Sequence, residues 1–278
     1  MEIVHKYWVD NLIFGLTGLK DEIFVLCGMS IMGLTVAVYN RNNMAAVEEL
    51  VQLPDKRPLE IEACSVSNCV YVLCVDDDRK CVSVLRLTKD GAGNQFSISP
   101  FASDLRLPVA TQPTLGVSPN GSLSVIHGLD PVAVDVFSAN GSLALSVNVS
   151  GFRHIDRVIQ RSDGNLVLAS LHGNRNRLER VLTELGADGK ILRQYKSSLR
   201  AASANVADMH GRIVICKSFK GMELLDSEFN ILEFGGKPKD KSFLFNAVTY
   251  NGERNEVMSS CTFANGKCLI TIFRFSEE

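Results

Sequence analysis

The stretch from residue 113 to 149, PTLGVSPNGSLSVIHGLDPVAVDVFSANGSLALSVNV, constrains the fold most, because it holds a complete unit of four short strands. Asn-Gly pairs at 120–121 and 140–141 and an Asp-Pro pair at 130–131 separate its four apolar runs. An Asn-Gly pair between alternating apolar runs indicates a tight hairpin, because both residues tolerate the positive φ that such turns require. The stretch therefore predicts an antiparallel meander of four strands.

The same pattern occurs six times along the chain, at a spacing of about forty residues. The second strand is its clearest marker, with versions at 22–27, 69–74, 122–127, 165–170, 212–217 and 256–261. A four-stranded repeat of this length is typical of the blades of a β-propeller. The sequence predicts an all-β fold, a six-bladed β-propeller of four-stranded antiparallel blades that forms one domain over residues 1–278.

The blades are predicted at 11–55, 56–106, 107–150, 151–200, 201–240 and 241–278. The last repeat contains only three strands, while residues 1–10 precede the first blade. We expect this N-terminal strand to complete the last blade, because radial repetition protects strand edges only when the ring is closed. Residues 44–53 and 177–185 have helical composition, but both fall where the repeat demands a strand, and both are predicted as strands.

The formal charge of −2 over 278 residues gives no general attraction to nucleic acid or to membranes. The first ten residues lack the apolar core of a secretory signal peptide, which favours a cytoplasmic location. Residues 23–39 carry no charge, but they reach only the lower limit for a membrane span. Their central glycines and β-branched residues favour a buried hairpin, so no membrane association is expected.

Eight cysteines in a chain of this length are too few for a disulfide-stapled scaffold and indicate reduced, buried thiols. Four of them, Cys64, Cys69, Cys74 and Cys81, lie close together in the sequence. Cys69 and Cys74 stand five residues apart on one predicted strand, so their side chains point to opposite faces. We therefore predict that these cysteines are structural and that they form no zinc site.

The repeat resembles the NHL repeat, six copies of which form a six-bladed propeller. A turn glycine is followed by an apolar run with an aromatic residue and valine, and a Val-x-Val run follows a few residues later. The resemblance covers most of the chain. The NHL pattern usually has an aspartate at the end of the second strand, where this chain has Cys27, Cys74, His127, Ser170, Lys217 and Cys261. The second strand lies outside the channel wall, so these six positions are not expected to share a metal, and His127 is expected to stabilise a turn.

The resemblance implies an interaction platform. Some NHL-type propellers bind RNA, and some related six-bladed folds are calcium-dependent lactonases or lyases. Fold alone does not choose among these functions.

Counting six residues back from each turn glycine predicts one level of the channel lining, formed by Gly15, Glu62, Leu115, Val158, Asn205 and Asn246. Glu62, Asn205 and Asn246 carry the oxygen atoms that calcium prefers. Asp156, two residues from this level, is the nearest candidate base. These residues support a calcium-dependent hydrolase or lyase of the lactonase type as an alternative function, although Leu115 and Val158 offer no ligand.

The fourth blade is basic, because the segment from Phe152 to Arg200 contains ten basic and five acidic residues, a charge of +5. The run HGNRNR at 172–177 is predicted as the loop between the second and third strands. His172, Arg175 and Arg177 would then cluster on one rim, with Arg180 nearby. Arginine forks match carboxylate and phosphate geometry, so this rim suits an acidic protein or nucleic acid. Only Phe152 and Tyr195 are available to stack bases, which disfavours RNA.

The function predicted first is therefore a non-catalytic interaction scaffold that binds an acidic peptide or protein on the rim of His172, Arg175, Arg177 and Arg180. The calcium enzyme and RNA binding through the fourth blade are the alternatives. No catalytic residue and no cofactor other than calcium are predicted. A solvated basic face is the simplest alternative explanation of the fourth-blade charge.

Overall fold

The computed structural model describes most of the chain, namely residues 2–10, 12–29, 33–53, 56–76, 81–89, 95–106, 113–127, 132–149, 151–152, 154–174, 177–200, 204–209, 211–217, 221–235, 243–263 and 266–274. The fold is all-β. The strands form six four-stranded antiparallel sheets, the blades of a six-bladed β-propeller, as the sequence predicts. The described residues include no helix long and apolar enough to cross a membrane.

The strands group into two compact units, and the first of these contains Met1–Pro54 and Ser203–Glu278. Its first blade comprises β2 (Leu12–Leu19), β3 (Glu22–Met29), β4 (Gly33–Asn40) and β5 (Asn43–Val51). Its fifth blade comprises β18 (Ala204–Met209), β19 (Arg212–Lys217), β20 (Gly221–Leu225) and β21 (Ile231–Gly235). Its sixth blade comprises β22 (Phe243–Asn251), β23 (Glu256–Phe263), β24 (Cys268–Arg274) and β1 (Glu2–Val9).

The second unit, Asp55–Ala202, contains the remaining three blades. The second blade comprises β6 (Arg57–Cys64), β7 (Cys69–Asp76), β8 (Cys81–Lys89) and β9 (Phe96–Arg106). The third comprises β10 (Thr114–Val117), β11 (Leu123–His127), β12 (Ala133–Phe137) and β13 (Leu143–Asn148). The fourth comprises β14 (Ile155–Gln160), β15 (Leu166–Asn174), β16 (Arg177–Leu185) and β17 (Ile191–Arg200).

The N-terminal strand completes the sixth blade, which confirms the prediction. β1 pairs antiparallel with β24, from Glu2 opposite Arg274 to Val9 opposite Cys268. The two segments of helical composition are the strands β5 and β16, also as predicted. The charge-free stretch forms the hairpin arms β3 and β4. Local helix propensity loses to strand pairing here, because each segment has a partner strand to bond with.

A buried ion cluster joins the first and sixth blades. Arg41, in the turn between β4 and β5, donates from Nε to Oε2 of Glu256 at 2.9 Å and forms a second ion pair with Oε1. Arg274 donates to the same Oε1 at 2.8 Å. Arg41 and Glu256 are both buried, whereas Arg274 is exposed. The first blade is therefore attached to the last by a charge cluster as well as by apolar packing.

Apolar side chains pack between neighbouring blades in both units. Ile13 and Cys27 of the first blade pack in one cluster with Ile270 of the sixth. Val134 of the third blade packs with Leu168 of the fourth. The eight cysteines form no disulfide in this structure, and all but Cys81 are buried.

The inner strands of the third and fourth blades lie close together at Gly116. A methyl group at this position would lie closer than 3.0 Å to the backbone carbonyl oxygen of Val158, a separation that real Cβ atoms essentially never show. We expect Gly116→Ala to lower the free energy of unfolding by about 2–3 kcal/mol, because backbone atoms cannot move aside as a side chain does. Urea denaturation followed by circular dichroism measures this loss.

Gly186→Ala is the matched control for this substitution, because the atoms nearest to a methyl group there belong to the side chains of Asp188 and Leu192. We expect it to cost less than half as much. Equal losses for the two variants would show that the approach of the two strands at Gly116 is not tight.

Candidate functional site

The fourth blade extends well beyond its inner strand. The first pair between β14 and β15 joins Ile155 to Ser170. β15 and β16 then continue for four more pairs, from Leu171 opposite Arg180 to Asn174 opposite Arg177. At about 3.4 Å per residue these pairs extend about 13 Å past the inner strand. We call residues 171–180 the fourth-blade projection; its tip, residues 175–176, lies outside the described residues.

The other blades lack an extension of this length in the part of the chain that the structure describes. Their second and third strands pair for at most one residue beyond the inner strand, ending at Met29–Gly33, Asp76–Cys81, His127–Ala133, Lys217–Gly221 and Thr262–Cys268. The projection is therefore a specific feature of the basic blade. The prediction that 172–177 is a loop is wrong, since residues 172–174 belong to β15 and Arg177 begins β16. The polar, Gly-containing composition indicated a turn, but strand pairing continues through it.

The predicted rim residues divide into an exposed and a buried group. His172 is exposed, its Nε2 lies 2.9 Å from the Ser170 hydroxyl, and it stands opposite Glu179. Arg175 lies outside the described residues, as does the side chain of Arg177. Arg180 is only 1% exposed and pairs with Asp156 at the base of the projection. The structure thus places Arg180 away from the rim on which the sequence predicts it, because this arginine neutralises a nearby carboxylate.

An ion network ties together the inner strands of the second unit. Arg157 of β14 donates from Nη2 to Oε2 of Glu62 at 2.7 Å and from Nη1 to Oε1 of Glu60. Oε2 of Glu60 also accepts hydrogen bonds from the Thr114 hydroxyl at 2.6 Å and from the Leu115 amide at 2.8 Å. Three consecutive blades are therefore joined through Glu60.

In this network, ion pairing opposes the effect of burial on the charged groups. Burial alone would lower the pKa of Arg157, but the carboxylates of Glu62 and Glu60 raise it above its usual value, so the guanidinium stays charged. Burial raises the pKa of the Asp156 carboxyl, and Glu60 adds to this effect, while the guanidinium of Arg180 opposes both. Because Asp156 Oδ1 is held by Arg180, its carboxylate is less available as a base than the sequence suggests.

The six residues found by counting back from the turns do not hold equivalent positions in the strand register. The inner-strand residues that pair with the fifth residue of each second-strand repeat are Gly15, Glu60, Thr114, Arg157, Asn205 and Ala247. In four blades the counted residue, namely Glu62, Leu115, Val158 or Asn246, differs from this position by one or two residues. Among the equivalent positions, Glu60 is hydrogen-bonded to both Thr114 and Arg157.

The counted residues differ because the inner and second strands are joined by turns of different length. A bulge also recurs at one place in the repeat, just before the equivalent positions. In four inner strands one residue has no partner on the second strand, and it lies between the residues that pair with the sixth and the fifth positions of the second-strand repeat. These unpaired residues are Phe14, Leu59, Asp156 and Asn246. A bulge changes the direction of a side chain, and bulges are frequent beside functional sites. Asp156 and Asn246 therefore occupy equivalent bulge positions, and the side chain of Asn246 lies outside the described residues, like that of Asn205.

Of the three proposed calcium ligands, only Glu62 has a described side chain. Glu62 is committed to Arg157, so a cation would have to displace a guanidinium from it. The described part of the chain contains no group of three or more His, Cys, Asp or Glu side chains placed to hold a metal ion.

His127 has a structural partner. Its Nε2 lies 2.7 Å from Oδ2 of Asp135, and the Ser146 hydroxyl donates to Oδ1 of the same carboxylate at 2.6 Å. Burial raises the pKa of Asp135, but the hydrogen bonds from His127 and Ser146 outweigh it and hold that pKa below its usual range. The serine and the histidine bind one carboxylate and not each other, so this group does not activate a nucleophile.

The sequence interpretation missed Glu60 and Arg157. Glu60 and Glu62 stand two residues apart on one strand, a spacing that places both side chains on one face. These two carboxylates on one face were the sequence feature that indicated a cationic partner. Nothing local indicated which arginine would reach it.

Comparison with known proteins supports the fold alone. No protein-family model matches the chain, and no curated protein matches it in sequence. The chain is similar to the hydrazine synthase of Kuenenia stuttgartiensis, with a TM-score of 0.58 and 12% identity over 95% of this chain and 84% of that one. It is also similar to Raptor of Chaetomium thermophilum, with a TM-score of 0.56 and 10% identity over 99% of this chain. The chain spans only 29% of that second structure.

Proposed function

We propose that this protein is a non-catalytic, cytoplasmic interaction module of the NHL-like kind, and that it binds an acidic peptide or protein segment on the fourth-blade projection. The observation that carries the proposal is the projection itself. It extends four residue pairs beyond the inner strand, and its sequence includes Arg175 and Arg177.

The charge of the projection supports an acidic partner. Residues 171–180 contain three arginines and one histidine against a single glutamate. Because Arg180 is ion-paired with Asp156, we assign the contact with the partner to Arg175 and Arg177. Each guanidinium offers a planar fork that binds a carboxylate through two parallel hydrogen bonds.

The two alternatives receive less support. A calcium-dependent lactonase needs Glu62, which Arg157 holds. RNA binding needs aromatic faces, and Phe152 packs against the core between the third and fourth blades. These observations favour a protein partner over a nucleic acid or a metal-dependent substrate.

The test is a binding titration with a fluorescein-labelled peptide of alternating glutamate and serine. We expect the double variant Arg175→Ala/Arg177→Ala to bind about tenfold more weakly than the wild-type protein, a loss of about 1.4 kcal/mol. Lys190→Ala is the matched control. Lys190 is 83% exposed in the turn at the opposite end of β16, where its Nζ lies 2.9 Å from Oδ2 of Asp188. Its removal should leave the affinity unchanged within about twofold.

Each alternative predicts a different result. Equal weakening by Lys190→Ala would indicate general charge attraction and contradict a rim-specific site. A labelled oligouridine that binds where the peptide does not, with a steep salt dependence, would favour RNA. A rise in melting temperature with calcium that Glu62→Gln abolishes would favour the enzyme.

A further inference from the structure

The second blade contains two cysteines that face each other across a hairpin. Cys64, the last residue of β6, pairs directly with Cys69, the first residue of β7, and the turn 65–68 joins them. Directly opposite residues of antiparallel strands have Cα atoms about 4.5–5.5 Å apart. A disulfide spans Cα separations of about 4.4–6.8 Å. The two thiols, which are free in this structure, are therefore close enough to be joined without a change in strand pairing.

The hairpin turn supports a negative charge on one of these sulfurs. The Ser67 amide donates a hydrogen bond to Sγ of Cys64 at 3.4 Å. The Cys69 thiol is the largest cause of a lowered pKa of Cys64, which falls to about 6 although burial opposes the change. The same hydrogen bond and burial raise the pKa of Cys69. These effects favour the thiolate form of Cys64 and the protonated form of Cys69.

Other buried cysteines show the opposite behaviour. Burial raises the pKa values of Cys27, Cys74, Cys216 and Cys261 above their usual value. Because the thiolate is the reactive form of cysteine, Cys64 differs chemically from these core residues. The difference comes from the turn and from Cys69.

The pair is covered by a short, exposed turn. Cys64 and Cys69 are each 1% exposed, whereas Val66 at the tip of the turn is 59% exposed. A local opening of this turn gives a small molecule access to Sγ of Cys64 while the rest of the hairpin remains paired.

We propose that Cys64 and Cys69 form a redox-active dithiol that reduces a low-molecular-weight disulfide of the glutathione type and becomes an intrachain disulfide. The Cys64 thiolate attacks one sulfur of the disulfide, whose S–S bond breaks to release one glutathione thiolate. The Cys69 thiol loses its proton and attacks the Cys64 sulfur, which releases the second glutathione. The protein gives up two electrons and the Cys69 proton, a second proton comes from water, and one glutathione disulfide becomes two glutathione thiols.

This modification is independent of the fourth-blade projection, and it affects a contact between the second and third blades. Val66 and Sγ of Cys64 both lie against Gly121, in the turn between β10 and β11. Formation of the disulfide removes the Cys64 thiolate that accepts the Ser67 hydrogen bond. The oxidised turn therefore meets the third blade with a changed hydrogen-bond pattern.

The test equilibrates the purified protein with mixtures of reduced and oxidised glutathione, followed by acid quenching, alkylation and tryptic mass spectrometry. Cleavage after Lys56 and Arg79 releases one peptide with Cys64, Cys69 and Cys74. We expect this peptide to lose two hydrogens and to carry a single alkyl group, on Cys74. Cys69→Ser should stop at a stable mixed disulfide on Cys64. Cys64→Ser should prevent the reaction, while Cys27→Ser should behave as wild type.

Two outcomes would overturn the proposal. One is the absence of a disulfide at every glutathione ratio in the wild-type protein, whose folding is not in question. The other is a bond that includes Cys74, or glutathione capture by Cys64→Ser equal to that of wild type. Circular dichroism of each variant, with Cys69→Ala as a second substitution, separates loss of reactivity from loss of fold.

Discussion

Glu256→Gln is expected to lower the free energy of unfolding by about 3–5 kcal/mol, because it leaves the guanidinium of Arg41 buried without its counter-charge. Arg41 Nε donates to Glu256 Oε2 at 2.9 Å, and the side chains of Arg41 and Glu256 are only 7% and 1% exposed. Breaking a buried pair from one side is far more costly than losing a surface pair, since no water replaces the lost partner. Urea denaturation followed by circular dichroism measures the effect.

The matched control is Glu253→Gln in the same blade. Glu253 is exposed and accepts a hydrogen bond from the Lys20 amide at 2.9 Å, so its substitution should cost no more than about 1 kcal/mol. The double variant Arg41→Met/Glu256→Met should recover most of the lost stability, because it removes both buried charges together. A loss for Glu256→Gln as small as that for Glu253→Gln would contradict the role assigned to this cluster.

The architecture was predictable because its signals are local. Asn120 and Asn140 each precede a glycine, and the structure gives Gly121 and Gly141 φ values of +85° and +89°. Turns of this kind recur in step with apolar alternation, so counting them yields the blades. The missing fourth strand of the last repeat then required a partner, and the N-terminal segment was the only spare strand.

The candidate site was less predictable, because it depends on strand register and on contacts between residues that are far apart in the sequence. The extra residue at the bulge beside Ile155 shifts every later position of β14 by one relative to β15, and no residue type marks it in advance. Arg157 and Glu60 are separated by 97 residues, and their contact depends on the packing of three blades. The charge excess of the fourth blade was correctly counted, but counting does not separate an arginine that faces solvent from one that neutralises a buried carboxylate.

The network at these inner strands leads to the last prediction. Arg157→Met is expected to cost about 3–5 kcal/mol at neutral pH, because Glu60 and Glu62 are then left together without a counter-charge in a largely buried position. The penalty should shrink as the pH falls toward about 4, since carboxylates that bind protons no longer repel each other or require a cation. In the variant, the two uncompensated buried carboxylates bind protons more tightly in the folded state than in the unfolded state. Acidification therefore stabilises this variant relative to the wild-type protein.

The measurement is urea denaturation of both proteins at a series of pH values, with Lys190→Met, an exposed pair member, as the control that should show no such trend. In the Arg157→Met background, Glu60→Gln/Glu62→Gln should restore most of the stability at neutral pH, because it removes the repulsion that the first substitution exposes. A penalty that is independent of pH and is not relieved by the glutamines would mean that Arg157 contributes through packing of its aliphatic stem and not through charge.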